Sequence, residues 1–136
     1  YRAVPGAVSL LKALKQKMKV AILTNGWVAQ QEKKIRLCGL EGQFDAIVVS
    51  EQVGVKKPDL RMFQHALTAL NVSADEAVMI GDSWKADVLG ARNAGIPAVW
   101  FNRYEEQCPE PNRVVEVTSL EPTEKLVRIL SESDGD

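Results

Sequence analysis

The stretch AVMIGDSWKAD, residues 77–87, decides how the chain folds. Four apolar residues run into Gly81-Asp82-Ser83, and a second carboxylate, Asp87, follows in the next segment. A short apolar run closed by a turn signal predicts a buried strand. A buried strand gains nothing from ending on a carboxylate. A strand that forms the floor of a cation or phosphate site does.

Working outward, the same alternation recurs along the chain. Pro5–Gln16 carries Val8, Leu11 and Leu14 at helical spacing, and Lys19–Leu23 is a short apolar run closed by Thr24-Asn25-Gly26. A helix is predicted from Val28 to Cys38, with Gly39 just past its end. Ala46–Val49 reads as the second strand, and Asp59 as the cap of a helix reaching Leu70. Ala77–Ile80 is the third strand, Trp84–Asn93 a helix and Ala98–Phe101 the fourth strand. Arg113–Val117 is a candidate fifth strand, and Glu121–Leu130 a closing helix. Residues 102–112 form a long loop. Apolar strands separated by helices of about ten residues predict a three-layer α/β fold, a Rossmann-like parallel sheet flanked by helices.

Composition narrows the function. The 136 residues are 46% hydrophobic and 26% charged with a net charge of −1, which suits one globular domain. No basic stripe points to nucleic acid, and no apolar run has the ~20 residues a membrane-spanning helix needs. The lysines at 12, 15, 17 and 19 read as the outer face of a helix. Cys38 and Cys108 stand far apart without metal-ligand spacing, as free thiols of a reducing cytoplasm would.

In open parallel sheets ligands bind beyond the carboxyl ends of the strands. Thr24 and Asn25, Ser50 and Glu51, and Asp82 and Ser83 all fall at that edge, and Lys57 lies in the loop leaving the second strand. This inventory suits a phosphate and a hard cation. Each residue also has a plain reading. Asn25-Gly26 is a common turn pair, Asp82 or Ser83 can cap the next helix, and Asp87 can answer a helix dipole. Lys57 can be a solvated loop lysine, and His65 reads as a surface residue. Trp27 and Trp84 can line a substrate mouth or pack in the core. Only the order and spacing of the set single out a site.

The set resembles the haloacid dehalogenase-like (HAD) hydrolase superfamily. ILTNG at 22–26 is similar to its second motif, VGVKKPD at 53–59 to its third and MIGDSWKAD at 79–87 to its fourth, with ARNAGIPAVW at 91–100 following. The wording is most similar to the cap-bearing phosphatases, the pyrimidine nucleotidase-like branch in particular. The resemblance implies a Mg²⁺-dependent phosphatase acting on a small phosphorylated metabolite. Thr24 and Lys57 would be catalytic, and Asn25 and Gly26 would help bind the phosphate. Asp82 and Asp87 would serve the metal, Asp87 by holding Lys57 or a metal-bound water. Asp82 also sets the chain apart from the dehalogenase branch, which works without Mg²⁺.

One motif is missing. The family's first motif, an apolar strand ending Asp-x-Asp, supplies the nucleophile and a general acid/base, and no Asp-x-Asp occurs in this chain. The resemblance therefore identifies residues 1–136 as the C-terminal part of a HAD-like core, truncated and lacking its central first strand. Alone it would be inactive. An N-terminal segment, a separate chain or a homo-oligomer would have to complete the sheet, or the first and third strands would have to pair directly. The alternative is a non-catalytic phosphate- or metal-binding remnant.

Overall fold

The computed structural model describes residues 4–25, 28–37, 39 and 42–132. Helix α1 (Ala7–Lys15) begins after Gly6 and buries Leu10 and Leu14, one turn apart on one face. Strand β1 (Ala21–Thr24), α2 (Val28–Leu37) and β2 (Ala46–Val49) follow, then a single helical turn α3 (Ser50–Val53). Helix α4 (Leu60–Leu70) starts where Asp59 accepts a hydrogen bond from the Arg61 N–H. A 3₁₀ turn at Ala74–Glu76 leads to β3 (Met79–Gly81), a π-helical segment (Trp84–Leu89), α5 (Gly90–Asn93), β4 (Ala98–Phe101), β5 (Val115–Val117) and α6 (Thr123–Glu132).

All strand pairs are parallel, but the sheet is in two pieces, β1–β2 and β3–β4–β5. Alternate residues feed two helical layers. Ile80, Val99, Phe101 and Val117 pack with Leu10 and Leu14 of α1 and Leu126 and Leu130 of α6. Met79 and Ala98 pack with Met62, Phe63 and Ala66 of α4 and with Ala91 of α5. Leu23 and Val48 join this second layer, so the two sheets share a core. The three-layer α/β architecture is the one predicted.

One alternative falls away and one strand bound moves. Among the described residues β1 does not pair with β3, so the chain does not close its gap by that route. The third strand starts at Met79 rather than Ala77, because the Ala77 N–H is spent on the Ala74 carbonyl of the preceding turn. Ser50 and Glu51 fall just past β2, as expected, in the single turn of α3.

Candidate active site

Lys57 is the centre of the site. Its ammonium donates to Asp87 Oδ1 at 2.6 Å and to the Leu23 carbonyl at 3.1 Å, tying the end of β1 to the segment after β3. The side chains of Lys57 and Asp87 are 12% and 6% exposed, so the ion pair is largely withdrawn from water. Such a pair survives only when both charges find hydrogen bonds. Asp87 does: its Oδ2 accepts the Ser83 N–H at 3.1 Å.

Local chain chemistry brings Asp87 back to the strand end. The Ser83 carbonyl accepts from both Asp87 and Val88 N–H groups, at 2.9 and 3.2 Å, and the Ser83 hydroxyl caps Ala86 N–H at 3.0 Å. The resulting wide turn is of a kind that clusters at functional sites. Gly81 makes room, since a Cβ there would overlap the Asp87 carboxylate.

Asp82, the residue between, is exposed. Among the described residues its carboxylate has neither a hydrogen bond nor an ion pair, while its carbonyl accepts the Trp100 indole N–H at 3.0 Å. Trp84 packs edge-on against Trp100, ring centroids 5.0 Å apart. Half-buried Trp84 thus touches the core through buried Trp100. Thr24 closes β1 opposite Val49. Asn25 lies beside Lys57, its Oδ1 accepting the Lys57 N–H at 2.8 Å.

The structure therefore brings Asn25, Lys57 and Asp87 into direct contact and places Asp82 one residue before Ser83, Asp87's partner. Asp82 and Asp87 do not form a closed cage: among the described residues no three His, Cys, Asp or Glu side chains group to hold a metal. Gly26, Trp27 and Cys38 lie outside the described residues. Cys108 is an unpaired thiol, and His65 is exposed. No described helix is long and apolar enough to cross a membrane. The 102–112 loop is tied down at both ends. Asn102 is buried and exchanges hydrogen bonds with the Glu106 backbone, and Glu110 pairs with Arg92 at 3.0 Å.

Sequence reasoning missed two members of the site, the Leu23 carbonyl and Trp100. A backbone acceptor leaves no trace in a sequence. A tryptophan inside a buried strand does signal that its N–H must find a partner.

Known proteins resemble this chain in sequence and in fold. The family described as haloacid dehalogenase-like hydrolase matches residues 1–101. The chain is 42% identical over 107 residues to pyrimidine 5'-nucleotidase YjjG of Escherichia coli K12, covering 78% of this chain and 48% of that protein. It is 35% identical over 137 residues to a glyceraldehyde 3-phosphate phosphatase of Pyrococcus furiosus, covering 98% of this chain and 57% of the relative. A magnesium-bound crystal structure of the Bacillus subtilis putative HAD-hydrolase YfnB superposes with a TM-score of 0.82 at 33% identity, over 94% of this chain and 55% of that one. The chain thus spans about half the length of the curated relatives it matches. A lysine–aspartate pair at the carboxyl edge of a parallel sheet, the ordered motifs around it and these matches place the chain in the haloacid dehalogenase-like hydrolase family.

Proposed function

We propose that this chain is the C-terminal part of the core of a Mg²⁺-dependent phosphate-monoester hydrolase acting on a small phosphorylated metabolite in the cytoplasm. The observation that carries the reading is the buried Lys57–Asp87 pair beside an uncommitted Asp82 carboxylate. An ammonium has three donors, and Asp87 and Leu23 take two of them. The third is available to a phosphoryl oxygen. Thr24, at the end of β1, offers a hydroxyl to the same group. The names of the relatives, a nucleotidase and a sugar-phosphate phosphatase, support the reaction class.

The nucleophile comes from outside this chain, on an apolar strand lying between β1 and β3. Its carboxylate oxygen would attack phosphorus while the P–O bond to the ester breaks, and an acid on the same strand would protonate the leaving oxygen. Water then cleaves the acyl phosphate and releases inorganic phosphate. Lys57 offsets the charge on the phosphoryl oxygens throughout, held in place by Asp87.

Asp82 fits the metal. Mg²⁺ takes one or two carboxylates and completes its shell with water and substrate oxygens, and Asp82 supplies an exposed hard oxygen with no competing partner among the described residues. Both oxygens of Asp87 already accept hydrogen bonds, so its support for the ion runs through Lys57 or a bound water. A bound ion would add charge withdrawal from the phosphoryl group.

The test is phosphate release from p-nitrophenyl phosphate by the protein as its own cell makes it. Chelation of Mg²⁺ should stop the reaction, and Asp82→Asn should slow it by at least about 100-fold. Asp82→Asn at the wild-type rate would remove the metal assignment. No hydrolysis by a protein whose upstream strand ends in Asp-x-Asp would remove the function.

A further inference from the structure

We propose that Asn25 is a positioning residue whose side chain fixes Lys57, rather than a contact to the substrate; this rests on the phosphatase reading above. The resemblance puts Asn25 at the phosphate. The structure gives its amide a different partner. Asn25 Oδ1 accepts the Lys57 N–H at 2.8 Å, and Nδ2 faces the Lys57 carbonyl at 3.4 Å. Both bonds go to the backbone of one residue, as they would from a neighbouring strand, and this two-point contact sets the direction in which the Lys57 side chain leaves the main chain.

The effect on the ammonium follows from geometry. Lysine carries a flexible four-carbon stem, and an ordered ammonium at its tip requires that both ends be held. Asp87 and the Leu23 carbonyl hold the tip. Asn25 holds the base. Residues 54–59 form a loop between α3 and α4 with no ladder of their own, so without Asn25 the base of Lys57 has no side chain gripping it among the described residues. Asn25, next after β1, and the loop before α4 are thereby locked to each other, and the lysine they support reaches across to the segment after β3.

The experiment is amide hydrogen exchange at Lys57 together with steady-state kinetics on p-nitrophenyl phosphate, in the full protein that carries this chain. In Asn25→Ala the Lys57 amide should exchange about 10-fold faster or more, because its acceptor is gone. In the same variant kcat should fall on the order of 10- to 100-fold with KM within about twofold, the signature of a displaced catalytic group. Asn25→Asp keeps the acceptor and should keep the slow exchange at Lys57, which also guards against a fold defect in the alanine variant. A raised KM with kcat retained would make Asn25 a substrate contact and overturn the proposal. Unchanged Lys57 exchange in Asn25→Ala, or equal loss of protection in Asn25→Asp, would overturn it too. Absence of hydrolysis in the wild type would break the phosphatase reading instead, while the exchange data still decide whether Asn25 grips Lys57.

Discussion

Strands β1 and β4 are both four-residue, parallel and apolar, yet they sit in different surroundings. In β4, Val99 is 0% exposed and Trp100 2%, whereas every residue of β1 stays half-buried. Hydropathy does not explain the contrast, since Ala-Ile-Leu-Thr is as strand-like as Ala-Val-Trp-Phe apart from its last residue. Neighbours do. Among the described residues β4 is paired on both sides and every other strand on one; β2 still buries Val48 and Val49, with α4 packed on it, whereas β1 and β3 stay half-buried along their whole length. Parallel strands are ordinarily covered on both faces. The two strands half-buried throughout, β1 and β3, carry Thr24 and Asp82 at their ends. The half-buried strands and the candidate site are the same place, and Lys57 joins the end of β1 to the segment after β3.

The contrast can be broken by truncating side chains on its two sides. Trp100→Ala should cost about 3–5 kcal/mol in urea unfolding, by lost packing and a cavity. Ile22→Ala in β1 should cost less than half of that in this chain, because Ile22 starts half-exposed. The sharper form uses the protein as its own cell makes it. If a strand covers β1 there, the cost of Ile22→Ala should rise toward that of a core position. Equal costs for Ile22→Ala in both settings would mean that nothing covers β1.

At the junction between the two sheets the expected effects are next in size. Asp87→Ala leaves the Lys57 ammonium largely buried with only the Leu23 carbonyl, which should destabilise the protein by about 3 kcal/mol. Lys57→Met combined with Asp87→Leu should recover part of the loss, and a double variant no better than the single one would mean that the charge pair itself is not the issue. Gly81→Ala should cost about 1–3 kcal/mol, since its Cβ displaces the Asp87 carboxylate. Its unfolding midpoint and the Lys57–Asp87 geometry should move together. A stable Gly81→Ala protein with the ion pair intact would show that the close approach is dispensable.

The filled sheet was far easier to read from sequence than the site. Ala46–Val49 and Ala98–Phe101 have the bounds that their apolar runs predict, and Asp59 caps α4 as expected, because local hydrophobicity and capping act within a few residues. The π-helical turn at Trp84–Leu89 was read as an ordinary helix. Its width comes from Ser83 serving two N–H donors while Asp87 folds back to Lys57, a contact between residues 30 positions apart. Asn25 shows the same limit. The Asn-Gly pair announces a turn, but nothing in the sequence says that its amide faces the Lys57 backbone 32 residues on. Likewise, a second partner for β1 is expected only through the resemblance, since an apolar run looks the same whether one neighbour or two will cover it.

The smallest effect lies at the other end of the open sheet, where β1 begins. Asp45 accepts from the Val20 N–H at 2.6 Å and from the Lys15 ammonium at 2.6 Å, and its own N–H returns a bond to the Val20 carbonyl. The Lys15 ammonium first, and the Val20 N–H after it, hold the Asp45 carboxyl below its ordinary value of 3.8. A carboxyl that ionises more readily in the folded state binds fewer protons there than in the unfolded chain. Its contribution is therefore complete above the ordinary value and disappears as pH falls through the folded one. Asp45→Asn should lower the urea midpoint slightly at neutral pH, with the gap to wild type narrowing below about pH 4. A gap that keeps its size into acid would mean that β1 is anchored there by hydrogen-bond geometry alone, and that charge adds nothing to the hold on the open sheet.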